Sequence, residues 1–218
     1  MNALEEILGK VEKYGARLVA VSKTKPNNAI LEIYNQGHKI FGENRVQELV
    51  EKQASMPDDI EWHMIGHLQS KKVKQIASFV HMIHAVDSPK LLKEIDKRAA
   101  QHERIIPVLL QFHIAKESTK YGFSQDEVEA LLRSEEFKTF ENAKIVGVMG
   151  MATFTDDMDQ VRSEFKSLKS IFDHLKTNYF TNNEDFKEIS MGMSGDYTIA
   201  LEEGSTIVRV GSLIFGKR

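Results

Sequence analysis

Short apolar runs typical of buried β-strands alternate with helical patterns eight times along the sequence. The predicted strands cover residues 18–23, 39–42, 62–65, 80–86, 105–112, 144–149, 188–191 and 207–210. Strands separated by helical crossovers pair in parallel, and eight such units predict a single (β/α)₈ TIM barrel, an α/β fold. A doubly wound open sheet is the alternative, because periodicity alone does not distinguish a closed parallel sheet from an open one.

Several helical segments carry clear start signals. Ser88 is a predicted N-cap before Pro89, and residues 124–127 form a capping-box pattern ahead of the next apolar stripe. Residues 73–77 are predicted to be helical, and the longest helix is predicted from Met158 to Leu175. No linker rich in Pro, Gly or Ser interrupts the 218 residues, so we expect one domain over residues 1–218.

The composition argues against several classes of protein. The 29 Lys and Arg residues against 32 Asp and Glu residues give a formal net charge of −3, which disfavours nucleic-acid and anionic-membrane binding. Without cysteine there is no disulfide, thiolate zinc site or cysteine nucleophile. No window approaches the ~18 apolar residues of a membrane span. The first residues have helical spacing without a basic leader, so we expect a cytoplasmic protein.

The histidines do not form a recognisable metal motif. His63 and His67 are four residues apart, but no glutamate follows His63, and residues 62–65 read as a strand rather than a helix. His81 and His84 lie in or beside the fourth predicted strand. We interpret these histidines as residues of the core or the barrel mouth, and we expect no metal. The glycine clusters also lack the spacing of a dinucleotide fingerprint or a phosphate P-loop.

Lys23 lies at the carboxyl end of the first predicted strand. Alternation places Val19, Val21 and Lys23 on one face, and in a TIM barrel this end is the active-site end. A partly desolvated amine has a lowered pKa and can form an imine with an aldehyde. The alternative is that Lys23 extends from the strand end into solvent. Lys25, next to Pro26, is expected at the rim.

The segments after the last two predicted strands suit a phosphate group. Ser194 stands where a helix would begin, Asp196 falls in its first turn, and Arg209, Gly211 and Ser212 end the last strand. TIM barrels frequently bind phosphate between the loops after strands seven and eight. The alternative is an ordinary Gly-Ser turn without a ligand.

Five sequence blocks, in the same order, resemble the pyridoxal phosphate homeostasis proteins of the YggS/PROSC type. The blocks are residues 20–26, 41–48, 62–70, 190–194 and 204–216. The resemblance implies a barrel like the N-terminal domain of alanine racemases, with pyridoxal 5′-phosphate (PLP) held as an imine. Two features depart from the family pattern, His67 and residues 113–116. Lys120 has no assigned role.

The resemblance also implies roles for individual residues. Lys23 matches the imine lysine, and Ser194, Gly211 and Ser212 match phosphate contacts. Arg209 matches the arginine that faces the pyridine nitrogen, with an internal salt bridge as the alternative. Asn44 matches a residue near the ring. His63 and Met191 are further candidates for the site.

The implied function is a non-catalytic protein that binds PLP and delivers it to PLP-dependent apoenzymes. We expect a monomer, because no apolar patch in the sequence calls for a partner. A PLP-dependent amino-acid racemase is the first alternative. Racemisation needs a second acid/base, which in alanine racemases is a tyrosine from a C-terminal β domain, and we expect none here because the chain ends at Arg218. The second alternative is a PLP-free aldolase that uses Lys23 and the phosphate site for a phosphosugar.

Overall fold

A computed structural model describes residues 2–115 and 121–216, and it contains a closed barrel of eight parallel strands paired in chain order. The strands are β1 Arg17–Val21, β2 Ile40–Glu43, β3 Glu61–Met64, β4 Met82–Val86, β5 Ile106–Gln111, β6 Ala143–Met149, β7 Glu188–Ser190 and β8 Ile207–Val210. Closure joins β1 to β8, with Val19 opposite Arg209. The barrel prediction is confirmed, and the open-sheet alternative is wrong.

Helices lie between the strands, as predicted. They are α1 Ala3–Lys13, α2 Asn27–Tyr34, α3 Val46–Gln53, α4 Pro89–Gln101, α5 Gln125–Arg133, α6 Met158–Asn178, α7 Tyr197–Glu202 and α8 Ser212–Phe215. The Ser88 cap is confirmed, because its side chain accepts a hydrogen bond from the backbone of Leu91. The capping box of Ser124 and Glu127 is also confirmed.

The connection between β3 and β4 differs from the prediction. A 3₁₀-helix over Ser70–Gln75 replaces the expected α-helical segment at residues 73–77. Val73, Ile76 and Ala77 are nevertheless fully buried. In a 3₁₀-helix residues three apart share one face, so Val73 and Ile76 are buried together by this tighter turn.

Alternation along the strands divides the apolar side chains into two layers. One layer packs between the strands and the helices, and it includes Phe41, Trp62 and Met64. The other fills the inside of the barrel with Val19, Val21, Ile65, Met82, Ala85, Leu109, Val146, Met149 and Ile207. Buried polar residues, His84 and Arg209 among them, complete the inward face. A parallel barrel therefore has a packed interior, with open space only at its mouths.

In the described part of the chain, no helix is both long enough and apolar enough to cross a membrane.

Gly147 offers a test of how tightly β6 and β7 approach each other. A Cβ atom at this position would lie 1.8 Å from the carbonyl oxygen of Glu188, at a φ of +157°. We expect Gly147→Ala to lower the free energy of unfolding by ~2–3 kcal/mol, because the backbone must shift to remove the overlap. Urea unfolding measures this difference.

Gly9→Ala is the matched control for the same chemical change. Gly9 lies inside α1, and a Cβ there would meet nothing within 4 Å. We expect this variant to be more stable than the parent chain by ~0.5–1 kcal/mol, because alanine restricts the unfolded chain. Equal effects of the two substitutions would contradict the close approach of β6 to β7.

Candidate functional site

A cavity of ≈ 480 Å³ opens at the carboxyl ends of the barrel strands. Its walls come from the segments that follow β1, β2, β3, β6, β7 and β8. All six predicted binding residues line it: Lys23, Asn44, Ser194, Arg209, Gly211 and Ser212. Because these residues are spread over most of the chain, the barrel brings together groups that the sequence places far apart.

Lys23 lies in a turn rather than in a strand. Strand β1 ends at Val21, two residues earlier than predicted, and Lys23 is partly buried where it lines the cavity. Val19 and Val21 point into the barrel, and Lys23 lines the same cavity as Val21. Lys25 lies outside this cavity, as expected for a residue at the rim. Its Nζ donates to the carbonyl oxygens of Phe215, at 2.9 Å, and Gly216, at 3.1 Å.

Arg209 is a buried cation on β8. Its guanidinium donates to Ser190 Oγ and to the carbonyl oxygen of Gly150, the latter at 3.1 Å. Burial lowers the pKa of Arg209 to about 10, so the side chain is still protonated at neutral pH. The nearby carboxylate of Asp196 acts against the effect of burial and favours the charged form of Arg209.

A chain of hydrogen bonds continues from Arg209 through the inside of the barrel. His84 Nδ1 lies 2.9 Å from Ser190 Oγ, and His84 Nε2 lies 2.8 Å from His63 Nδ1. Because Ser190 Oγ accepts from Arg209, we assign its own hydrogen to His84 Nδ1. His84 then donates to His63, and the remaining hydrogen of His63 is on Nε2. In this assignment the hydrogen bonds run in one direction from Arg209, whose guanidinium can only donate, to His63.

The predicted phosphate residues meet where β7 and β8 end. The backbone N–H of Gly211 donates to Ser194 Oγ at 3.3 Å. A Cβ on Gly211 would lie 3.0 Å from the carbonyl oxygen of Val21, so glycine allows this segment to pass close to β1. One detail differs from the prediction, because the helix begins at Tyr197 and Asp196 is its N-cap residue. Ser194 therefore lies in the loop before the helix.

Asn44 follows β2 at the cavity wall. Its Oδ1 atom is buried and accepts no hydrogen bond from any residue in the described ranges. A buried amide oxygen without a donor is costly, and most such atoms in native proteins are satisfied by protein, water or a ligand. Two residues of the cavity wall therefore carry buried polar groups, an amide oxygen of Asn44 without a donor in the described ranges and the guanidinium of Arg209.

The further candidates lie elsewhere. His63 and Met191 are buried and do not line the cavity. His63 is joined to Arg209 only through the hydrogen-bond chain described above, and Met191 packs in the layer between strands and helices.

The loop after β6 also lines the cavity, and the sequence analysis did not predict it. It contributes residues 151–156. Thr153 is held by Glu164 of α6, which accepts from its backbone N–H at 2.6 Å and from its hydroxyl at 2.7 Å. The polar run after the sixth strand could have indicated this loop as part of the site, because the segments at the carboxyl ends of barrel strands form the mouth of the site.

One cluster at the opposite end of the barrel resembles a metal site in composition. In the described part of the chain, Glu61, His63 and His81 are the one group with potential ligand atoms within 4.8 Å of one another. The two imidazole rings are stacked at 5.5 Å in nearly parallel planes, so their in-plane lone pairs do not converge. The tautomer assigned above also places a hydrogen on His63 Nε2. We therefore assign no metal to this cluster.

Comparisons with known proteins agree with the motifs. The family model for the N-terminal domain of alanine racemase matches residues 2–218. A pyridoxal phosphate homeostasis protein of Aquifex aeolicus (strain VF5) is 39% identical over 223 residues, covering 100% of this chain and 96% of that protein. The human pyridoxal phosphate homeostasis protein is 39% identical over 215 residues, covering 93% of this chain and 76% of that protein. The chain belongs to the pyridoxal phosphate homeostasis protein family.

Solved structures of this family match the whole barrel. PipY from Synechococcus elongatus, solved without PLP and with PLP bound, gives TM-scores of 0.88 and 0.85 at 32% identity, covering 97% of this chain and 99% of that chain. An alanine racemase from Clostridium difficile gives a TM-score of 0.76 at 13% identity, over 99% of this chain and 60% of that one. At that identity the likeness concerns the fold alone.

Two departures from the family pattern can be placed only in part. His67 lies beyond β3, where its Nδ1 is 3.0 Å from Asp87 Oδ2 and its ring stacks on Tyr121 with centroids 4.4 Å apart. Lys120 and the last residue of segment 113–116 lie outside the described residues.

The buried histidines predict a dependence of stability on pH. Burial lowers the pKa of His63 and of His84 well below 6.5, their ordinary value. Below about pH 6.5 the unfolded chain takes up protons that these residues in the folded barrel do not, so stability falls as the pH falls. We expect His84→Gln to make the slope of unfolding free energy against pH shallower by up to ~1.4 kcal/mol per pH unit.

Urea unfolding at a series of pH values between 5 and 8.5 measures this slope. Above about pH 7.5 both histidines are neutral in both states, so the curves of the parent chain and the variant should run parallel there. A variant curve that stays parallel to the parent curve below pH 6.5 as well would show that His84 is not held neutral.

Proposed function

We propose that this chain binds PLP in the barrel-mouth cavity, with the Lys23 amine joined to the cofactor's aldehyde as an imine, and that it acts in PLP homeostasis. One observation carries the proposal: an amine, a buried guanidinium and a group of hydroxyl and glycine residues line the same ≈ 480 Å³ cavity. Membership of a family whose relatives are named for PLP homeostasis, and a relative solved with PLP bound, support it.

The residues present fit this cofactor. When bound, PLP supplies an electrophilic aldehyde, an aromatic ring nitrogen and a phosphate anion. Lys23 provides the amine, and Ser194, Gly211 and Ser212 provide hydroxyl and backbone donors for the anion. Arg209 provides a donor for the ring nitrogen. The buried Oδ1 of Asn44, which has no partner among the described residues, provides an acceptor at the same wall.

Arg209 favours holding the cofactor over activating it. A guanidinium carries only N–H donors, and the hydrogen bonds to Ser190 and Gly150 hold it in place. A donor at this position leaves the ring nitrogen unprotonated, and an unprotonated ring is a weaker electron sink than a pyridinium. We therefore propose that the protein is a carrier and not an enzyme.

An imine also suits delivery. Its formation is reversible, and another amine can displace Lys23 and take the cofactor. We propose that the lysines of PLP-dependent apoenzymes are the acceptors, and that the carrier keeps the concentration of free aldehyde low.

Substitution of Lys23 tests the linkage. We expect Lys23→Ala and Lys23→Arg to abolish the absorbance of the imine, because neither side chain offers a nucleophilic amine. Reduction of the loaded parent protein with borohydride, followed by peptide mapping, should place the added mass on Lys23. Lys25→Ala is the control, and it should keep the absorbance of the parent protein. Added mass on another residue would overturn the proposal.

The rate of amino-acid racemisation separates the carrier from the racemase alternative. We expect the PLP-loaded protein to turn over alanine and other amino acids far more slowly than the ~1–10³ s⁻¹ of ordinary enzymes. Chiral chromatography of the reaction mixture measures the rate, with an alanine racemase as the positive control. Racemisation within the enzymatic range would support the alternative.

A further inference from the structure

The turn that carries Lys23 is closed by unusual backbone geometry. The backbone N–H of Lys25 donates to the carbonyl oxygen of Ser22 at 3.0 Å, which makes residues 22–25 a β-turn. Thr24, the third residue of the turn, has a φ of +63°. This left-handed conformation favours glycine and disfavours a β-branched residue. The turn needs support from the surrounding structure to remain in this form.

A buried ion pair supports the turn on one side of Lys23. Alternation turns Ser22 away from the barrel interior, and its hydroxyl donates to Glu43 Oε1 at 2.5 Å. Lys52 of α3 donates to the same oxygen at 2.7 Å and to the carbonyl oxygen of Ser22 at 2.9 Å. Ser22, Glu43 and Lys52 are all buried, so these charge-assisted bonds are little screened by solvent.

A carboxylate supports the turn on the other side of Lys23. Glu48 Oε2 accepts a hydrogen bond of 2.7 Å from the backbone N–H of Thr24, the residue with positive φ. The same oxygen lies 3.3 Å from Lys52 Nζ. Lys52 therefore links both supports, and the residues before and after Lys23 are each tied to one ionic network.

We propose that Glu48 and the Glu43–Lys52 pair are positioning residues that hold the turn so that the Lys23 amine faces the cavity. The inference rests on the proposed function, and it adds three residues that do not line the cavity. If the network served only the stability of the fold, its hydrogen bonds could be made to any part of β1. This one is tied to the peptide groups on both sides of the proposed imine lysine.

The experiment compares two ligands that differ only in the reacting group. PLP can form an imine, whereas pyridoxine 5′-phosphate has the same ring and phosphate with an alcohol in place of the aldehyde. We expect Glu48→Ala to slow imine formation with PLP about ten- to hundredfold, because the amine loses its alignment. Its affinity for pyridoxine 5′-phosphate should stay within about twofold of the parent value, because no imine contributes to that binding.

Glu51→Ala is the matched control. Glu51 lies on the same helix, three residues further along, is exposed and pairs with Gln47 instead of the turn. It should behave as the parent chain with both ligands. Glu48→Gln keeps an acceptor oxygen for the N–H of Thr24, and we expect it to slow imine formation only about threefold, since a neutral acceptor forms a weaker bond.

Three results would overturn the proposal. The first is unchanged imine formation in Glu48→Ala. The second is a loss of affinity for pyridoxine 5′-phosphate as large as the loss in the rate of imine formation with PLP, which would indicate a general structural role. If Glu48→Ala does not fold, the third is unchanged imine formation in Glu48→Gln. Failure of the proposed function is separate from all of these, because the parent chain itself would then form no imine at Lys23.

Discussion

A positive charge buried in the wall of the barrel is the constraint on which the site depends. Burying an unpaired cation is costly unless its donors find acceptors. Ser190 Oγ and the Gly150 carbonyl supply two acceptors, and a hydrogen bond between Ser190 Oγ and His84 Nδ1 holds the hydroxyl in place. The guanidinium is thereby held at the cavity wall as a fixed donor. In the proposed function, this is the property that makes the cofactor a held group and not an activated one.

The lysine is held in a different way. Arg209 lies within a strand, where the β1–β8 pairing fixes its backbone. Lys23 lies beyond the end of β1, where no strand pairing extends, and a turn with positive φ must be fixed by side chains instead. Glu48 and Lys52 provide that support from a helix. Strand pairing thus positions Arg209 at the cavity, whereas side-chain contacts position Lys23. Each set of contacts can be changed by substitution without changing the other.

The sequence predicts the fold well because the signals are local. Eight apolar runs, the Ser88 cap and the capping box at Ser124 each depend on neighbouring residues, and the structure confirms them. The placement of Lys23 and Arg209 at one mouth also follows, since parallel strands in a barrel share their carboxyl ends. The end of β1 was predicted two residues too late, because the turn at residues 22–25 depends on contacts with α3.

Other parts of the site could not be read from sequence patterns. The pairing of Ser190 with His84 joins residues 106 positions apart, and neither residue carries a local signal of its partner. Glu48 and Lys52 look like an ordinary exposed pair at i and i+4 on a helix, and only the packing of α3 against the end of β1 gives them a partner there. The Thr153 loop likewise depends on Glu164 of α6. Tertiary contacts decide each of these cases.

Closure of the barrel is the step that turns two distant segments into one site. The amine comes from the turn after β1, and the hydroxyl and glycine residues come from the segments after β7 and β8. They adjoin because β8 pairs with β1 and because Gly211 leaves room for Val21 beside it. Lys25 strengthens the same junction by donating to the carbonyl oxygens of Phe215 and Gly216. In the proposed function, the amine and the phosphate donors can therefore act on one small molecule only after the last strand has docked, so the capacity to hold the cofactor would be coupled to completion of the fold.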